Sequence, residues 1–253
     1  MMNTETYRDL HKGISSSILS TVATNGLLHW HYCKVTDKTF FFRDMWRGFS
    51  PNCMSYLGSL GTAYVAKGLL ERHFNPLKQN QNTHIQIIQG IGAGSISSIG
   101  ACPGERLATL DNKLGRGWVA ALNSTLKQEG VKGLYRGFVP TVARDAISIG
   151  CVLSAGPLCY ERVMKSAHCN EWLAVLISSV AIGTGSSLVT QPFQVIRINM
   201  QNDPKKKIAE IISETKGKNL LKRIKPFTAG AYPRIIINCV LIACGIIIDD
   251  CYE

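Results

Sequence analysis

None of the nine cysteines in this 253-residue sequence stands in a CxxC pair, and the six histidines show no metal-binding spacing. Several cysteines lie inside apolar runs, which argues against a zinc site or a disulfide framework and for small buried hydrophobes. No serine, histidine and aspartate can be set in a nucleophilic order, so nothing points to an enzyme. No cleavable targeting peptide is expected either. Residues 1–12 are mixed in charge, and no small-residue cleavage site follows a short apolar core. Acidic residues are scarce beside basic ones, 17 against 28, for a formal net charge of +11. That balance suggests an anionic partner: metabolite, lipid headgroup or nucleic acid. Nucleic acid fits worst, because the basic residues are scattered and no nucleic-acid motif occurs. Much of the basicity sits in loops, at Lys205, Lys206 and Lys207 and at Lys222, Arg223 and Lys225, where anionic headgroups are within reach. A merely solvated loop accounts for the same residues.

Apolar residues fill the sequence instead, 45% of the total, gathered in long segments with few charges. Residues 173–198 hold no charge before Arg197, and 235–248 hold none. A run as short as the second suits a buried core helix as well as a membrane. Joined to its flanks and repeated, it reads as one of several tilted spanning helices. The mean hydropathy of +0.06 is low for a membrane protein. A bundle around a water-filled, polar-lined cavity explains it, because cavity-facing positions need not be apolar.

Internal repeats set the architecture. Residues 129–145 read EGVKGLYRGFVPTVARD, and LYRGFVPT at 134–141 returns as MWRGFSPN at 45–52, with Pro51 under Pro140 at an offset of 89. A fainter copy, FTAGAYPR at 227–234, puts Gly230 under Gly137 and Pro233 under Pro140. A second element, GSISSIGACPGE at 94–105, aligns with GTGSSLVTQPFQ at 183–194, again 89 residues on. Three units account for the chain, at about 1–80, 81–168 and 169–253.

Each unit resembles one repeat of the mitochondrial carrier family, six-helix transporters of the mitochondrial inner membrane. Two family motifs carry the resemblance: PxDxxK near the end of each odd helix, and EG, a spacer, then aromatic, basic and Gly before each even helix. The second is nearly complete in Glu129, Gly130, Tyr135, Arg136 and Gly137, and the first survives in part as PGERLA from Pro103 and PFQVIR from Pro192. The resemblance implies an all-α membrane bundle of six transmembrane helices in three pseudo-symmetric repeats, with short surface helices. It further implies a monomeric solute transporter without a cofactor.

Taken in order, 13–34 is the expected first helix, with a small-residue face of Gly13, Ser16, Ser17 and Ser20 that allows close helix approach. Under the family motif, Asn25 replaces the proline, Leu27 the acid and Trp30 the base. A short link leads to Trp46, Arg47 and Gly48. Pro51 starts the second helix, to about Arg72, and 74–83 is a loop by composition. The third helix spans about 84–110 with a kink at Pro103, and 117–128 is an amphipathic surface helix with Trp118, Ala121, Leu122, Thr125 and Leu126 on one face. Pro140 opens the fourth helix, to about Lys165, and 168–170 is a turn. The fifth runs over about 171–201 with a kink at Pro192, 202–218 carries another short surface helix, and the sixth starts at Pro233.

One motif points elsewhere. IQIIQGIGAGS followed by Asp111 can be taken for a dinucleotide-binding turn. The third glycine of that fingerprint falls on Ser95, and no strand–helix alternation follows. Gly90 and Gly94, at GxxxG spacing, suit a membrane helix contact instead.

A transporter needs a polar midplane site and two gates of balanced strength. The resemblance places substrate contacts at Arg144 with Asp145, at Ser55 with Tyr56, and at Ile237 with Asn238, while Arg234 lies one turn below Ile237. Charges at membrane depth carry a penalty of about 2.5–3.5 kcal/mol, which marks Arg144 and Asp145 as functional candidates. Arg144 suits a carboxylate or phosphate and Asp145 an amino group. The pairing resembles carriers of amino acids, whereas the net charge favours an anion, a nucleotide such as ATP first. In the gate, Glu105 and Arg197 keep their charge while Leu27, Trp30, Ala108 and Gln194 do not, so a weakly held gate is expected. A degenerate, non-transporting scaffold is the alternative of a different class. Expressed without detergent, the chain should appear in the membrane fraction; recovery as a soluble monomer would favour the dinucleotide enzyme.

Overall fold

A computed structural model describes residues 4–39, 46, 48–74, 83–115, 117–167, 170–203, 208–213, 228 and 230–252. The described residues contain helices and no strand. In chain order these are α1 (Thr4–Val35), α2 (Phe49–Phe74), α3 (Thr83–Leu114), α4 (Trp118–Leu134), α5 (Phe138–Gly150), α6 (Gly156–Ala167), α7 (Glu171–Asn202), α8 (Ile208–Ser213) and α9 (Ala231–Tyr252). A π turn, Cys151–Ala155, joins α5 to α6, so the two form one long helix. The first helix begins nine residues before the expected 13, with Glu5 in its first turn and Lys34 in its last, both favourable to the helix dipole. Asn170 caps α7, its side-chain oxygen accepting from the Trp172 amide at 3.2 Å. The expected loop at 75–82, the turn at 168–169, Arg47 and the loop basic residues at 205–207, 222, 223 and 225 lie outside the described residues.

The long helices close into a ring. α1 packs on α2 and α9, α2 on α3, α3 on α5, α5 and α6 on α7, and α7 on α9. Outside the ring, α4 packs on α3 through buried Ala121 and Thr125, and α8 touches α7. Four spans are long and apolar enough to cross a membrane: α3, Phe138–Ser166, α7 and the last helix. α1 falls short because its inward face is polar. Ser16, Ser17, Ser20, Thr21, Thr24 and Asn25 of α1 are buried, while Ile14, Ile18, Leu19 and Val22 face outward. The chain is thus an all-α membrane bundle whose polar side chains point in.

Two devices recur around the ring. Each even-numbered span opens on a glycine in the left-handed region: Gly48 at φ 76°, Gly137 at 81° and Gly230 at 76°. In each case the amide four residues on donates to the glycine carbonyl, from Asn52 at 2.9 Å, Thr141 at 3.1 Å and Arg234 at 3.2 Å. The second device is a seam of pattern GxxSS at Gly13, Gly94 and Gly183. Its last serine reaches across to the next span: Ser17 to the Tyr56 carbonyl at 2.9 Å, Ser98 to Asp145 Oδ2 at 3.2 Å, and Ser187 to the Arg234 carbonyl at 3.2 Å. The glycine makes room for that approach. Gly90, at GxxxG spacing from Gly94, lies against Ser154 and Gly150, as the membrane-contact reading expects.

The ring has two unlike halves. The half that carries the chain ends is packed with apolar side chains, Leu60, Ala63, Tyr64, Ile149 and Leu153 on one side and Val152, Leu241, Ile242 and Ile246 on the other. Lys12 to Asp249, 3.3 Å, and Arg72 to Asp9, 2.5 Å, tie α1 to α9 and α2 at that end. Within the fourth span, Lys67 of α2 donates to the Leu153 carbonyl at 2.6 Å, a group whose usual helical partner four residues on is Pro157, which has no N–H. Pro103 and Pro192 stand inside otherwise continuous helices.

A methyl added at Gly183 meets the Cys239 Cα at 2.8 Å, whereas one at Gly185 meets nothing within 4 Å. Gly183→Ala should therefore lower stability by about 1–3 kcal/mol. Gly185→Ala should leave the thermal unfolding midpoint in detergent unchanged or raised.

Candidate functional site

A cavity of about 70 Å³ lies in the half of the ring nearer the surface helices, lined by α1, α2, α3, α5, α7 and α9. Its charged lining residues are Glu105, Arg144, Asp145, Arg197 and Arg234. Arg144 sits two turns into α5, positioned by the Gly137 turn, and is 4% exposed. Its fork is fully engaged. Nε donates to Asp145 Oδ1 at 2.8 Å, Nη1 to Gln194 Oε1 at 2.9 Å, and Nη2 to Glu105 Oε1 at 2.7 Å as well as to Asp145. Glu105 turns its other oxygen to Arg197 Nη1 at 2.5 Å. The residues expected to form a binding site and those expected to form a gate therefore share one network.

The remaining expected residues divide. Arg234 lines the cavity from the first turn of α9, and its Nη2 donates to Ser148 Oγ at 3.2 Å. Ser55 lines the cavity too, with its hydroxyl donating to the Ala101 carbonyl at 3.2 Å. Asn238 is turned away, its amide donating to Ser186 Oγ of α7 at 3.1 Å, and it is absent from the cavity lining. Its partner Ile237 is fully buried in the apolar core.

The phase of α1 differs from the sequence expectation. The α1 residues facing the cavity are Leu28, His31 and Tyr32, not Leu27 and Trp30. Trp30 packs edge-on against Tyr232 at 5.7 Å, and Leu27 joins the apolar cluster around Ile242. With Asn25 in place of a proline, nothing in the local sequence pins the register. Asn25 instead accepts from Asn52 at 2.8 Å. His31 thus stands where a base was sought, 3.4 Å from Gln191 Oε1. Among the described residues, the positions expected to form the gate bring together the ion pair of Glu105 with Arg197, a polar contact at His31, and the apolar Leu28 and Ala108.

A second polar knot, which the sequence reading used only as a motif, closes α4 onto the bundle. Glu129 faces Arg106 Nη2 at 3.2 Å and Arg136 Nη1 at 3.6 Å, and Arg136 Nε donates to the Met200 carbonyl at 2.9 Å. Arg106, 1% exposed, also donates to the Gln201 carbonyl, while Gln201 accepts from Thr109 at 2.8 Å. The EG and aromatic–basic–Gly elements are thus the two ends of one clamp holding α4, α3 and α7. The signal that could have located it is Arg106, a charge next to the motif acid in an otherwise apolar helix.

Comparison with known proteins adds the following. A family profile described as mitochondrial carrier protein matches residues 79–167. The chain is 29% identical over 172 residues to a mitochondrial glycine transporter of sheep (Ovis aries), covering 64% of this chain and 55% of that protein. It is 28% identical over 217 residues to the mitochondrial glycine transporter of rat (Rattus norvegicus), covering 79% and 63%. A mitochondrial tricarboxylate transporter 1 of Mycosarcoma maydis is 26% identical over 177 residues, covering 63% and 58%. The chain spans roughly 55–63% of the length of these relatives.

Removing the charge of Glu105 strands Arg197 and leaves Arg144 with Asp145 as its remaining counter-charge, and Glu105→Gln should destabilise the protein by about 3 kcal/mol or more. The exposed pair Lys165 and Glu161, 3.6 Å apart, provides the contrast. Lys165→Ala should change stability by less than about 1 kcal/mol. Thermal unfolding in detergent checks both.

Proposed function

We propose that the chain is a member of the mitochondrial carrier family, multi-pass proteins of the inner membrane, and that it moves a small metabolite across that membrane through the cavity at Arg144. The cargo class supported best is a small amino acid. The observation that carries this reading is the cavity itself, which presents guanidinium and carboxylate groups together in about 70 Å³. That space holds a handful of water molecules and so a solute of a few heavy atoms. The relatives described as glycine transporters support the same class. A nucleotide, suggested by the net charge of +11, needs the cavity to widen well beyond this size.

The recurring glycine turns and GxxSS seams support reading the chain as one carrier domain of three units, at about 1–80, 81–168 and 169–253, working as a monomer. Lipid headgroups are the natural neighbours of its loop lysines. The apolar half, closed toward the chain ends, and the few charged gate positions of the other half support alternating access with one strong and one weak gate. In this scheme Glu105, Arg197 and Gln194 gate the cavity, Pro103 and Pro192 are the bending points, and Arg144, Asp145, Ser55 and Arg234 face the cargo.

The test is uptake by liposomes containing the purified protein, with labelled glycine, a panel of larger amino acids, citrate and ATP. Uptake of a small amino acid is expected, with ATP excluded. Arg144→Ala leaves two carboxylates facing each other and can unfold the protein, so Asp145→Asn is measured beside it; both should abolish uptake. Uptake of ATP alone would move the assignment to nucleotides. A folded protein that moves nothing would identify the chain as a membrane scaffold.

A further inference from the structure

Three guanidiniums and two carboxylates line the cavity. Arg144 is clasped by both carboxylates and Arg197 holds the second oxygen of Glu105. Arg234 is the cation left over. It is 5% exposed, and among the described residues it forms no ion pair. Its Nη2 rests on the neutral hydroxyl of Ser148, and its Nε has no partner. A buried, uncompensated charge in a membrane bundle is strongly unfavourable and persists where it is used. The free Nε and the lightly held Nη2 form one side of the guanidinium fork, the edge that grips a carboxylate with two parallel hydrogen bonds.

We infer that Arg234, with Ser148 beside it, is the receptor for the cargo's carboxylate, while Arg144, facing the same cavity, is held as the counter-ion of Glu105 and Asp145. This deepens the transport reading above and rests on it. The cargo then supplies the missing negative charge, and its carboxylate is the group that the cavity requires. An ammonium group is accommodated without a dedicated partner, since Glu105 and Asp145 are already engaged by arginines. Recognition comes from α9 and α5 together, because Ser148 lies one turn beyond Arg144 on the cavity face of α5.

The inference predicts two separable results. Without ligand, Arg234→Gln should melt at or above the wild-type temperature, because it removes a charge that has no partner. An arginine serving only to hold helices together would give a lower melting point. With ligand, glycine and acetate should raise the wild-type melting temperature and methylamine should not, and Arg234→Gln should lose the response to both carboxylates. Arg234→Lys keeps the charge without the fork, and its KM for glycine uptake should rise by about tenfold to a hundredfold. If Arg234→Gln is destabilised and still responds to acetate, Arg234 is structural and the inference falls, whatever the cargo. If wild-type protein responds to neither carboxylate and takes up neither, the small-amino-acid reading falls and takes the carboxylate assignment with it. A normal melting point of Arg234→Gln would then show only that the charge is unpaired.

Discussion

A guanidinium at membrane depth must find its counter-charges inside the bundle, and the centre of this protein is arranged around that requirement. Arg144 takes one carboxylate from α3 and one from its own helix, and its third direction is filled by Gln194 of α7. Because Glu105 also binds Arg197, α3, α5 and α7 meet at one point. A change that parts Arg144 from Glu105 also disturbs the Glu105 contact with Arg197, so the packing of these three helices at the cavity is set by one shared set of hydrogen bonds.

The two halves of the ring resist opening by different physics. Toward the chain ends the barrier is apolar packing, with Leu60, Leu153 and Ile242 each at 1% exposure or less. Separation there exposes hydrocarbon to water, at a cost that scales with area. Toward the surface helices the closure is the buried ion-pair network of Glu105 with Arg144 and Arg197, backed by the clamp of Arg106, Glu129, Arg136 and Gln201.

Much of this was legible in the sequence, for identifiable reasons. Gly48, Gly137 and Gly230 stand out because a left-handed turn before a helix leaves few alternatives to glycine. The apolar runs of α7 and α9 declare themselves by the absence of charge. α1 is harder, since its membrane face is a narrow stripe and its inward face is serine, threonine and asparagine. Its register was beyond reach: an error of one residue rotates a helical side chain by about 100°, which is the difference between Trp30 and His31. Which arginine is neutralised was equally hidden. Arg144 and Arg234 look alike in the sequence, and their different states depend on Glu105, which lies far from both along the chain. The first copy of GxxSS, at Gly13, went unaligned because the motif following it has lost its proline.

The π turn at Cys151–Ala155 has a consequence for how this fold tolerates change over time. A π turn holds one residue more than the helix around it, so the chain beyond it is advanced by about a third of a rotation. The cavity face of α5 and the face that α6 turns inward are thereby set independently. Lys67 secures the Leu153 carbonyl, which Pro157 cannot serve. Loss or gain of a single residue in this span can be absorbed there as a change between α and π winding, leaving Arg144 in place below it. The wide turn is thus a vernier between two halves of one helix, and it allows the closed end of the bundle to be rebuilt without disturbing the charges that the other half must keep aligned.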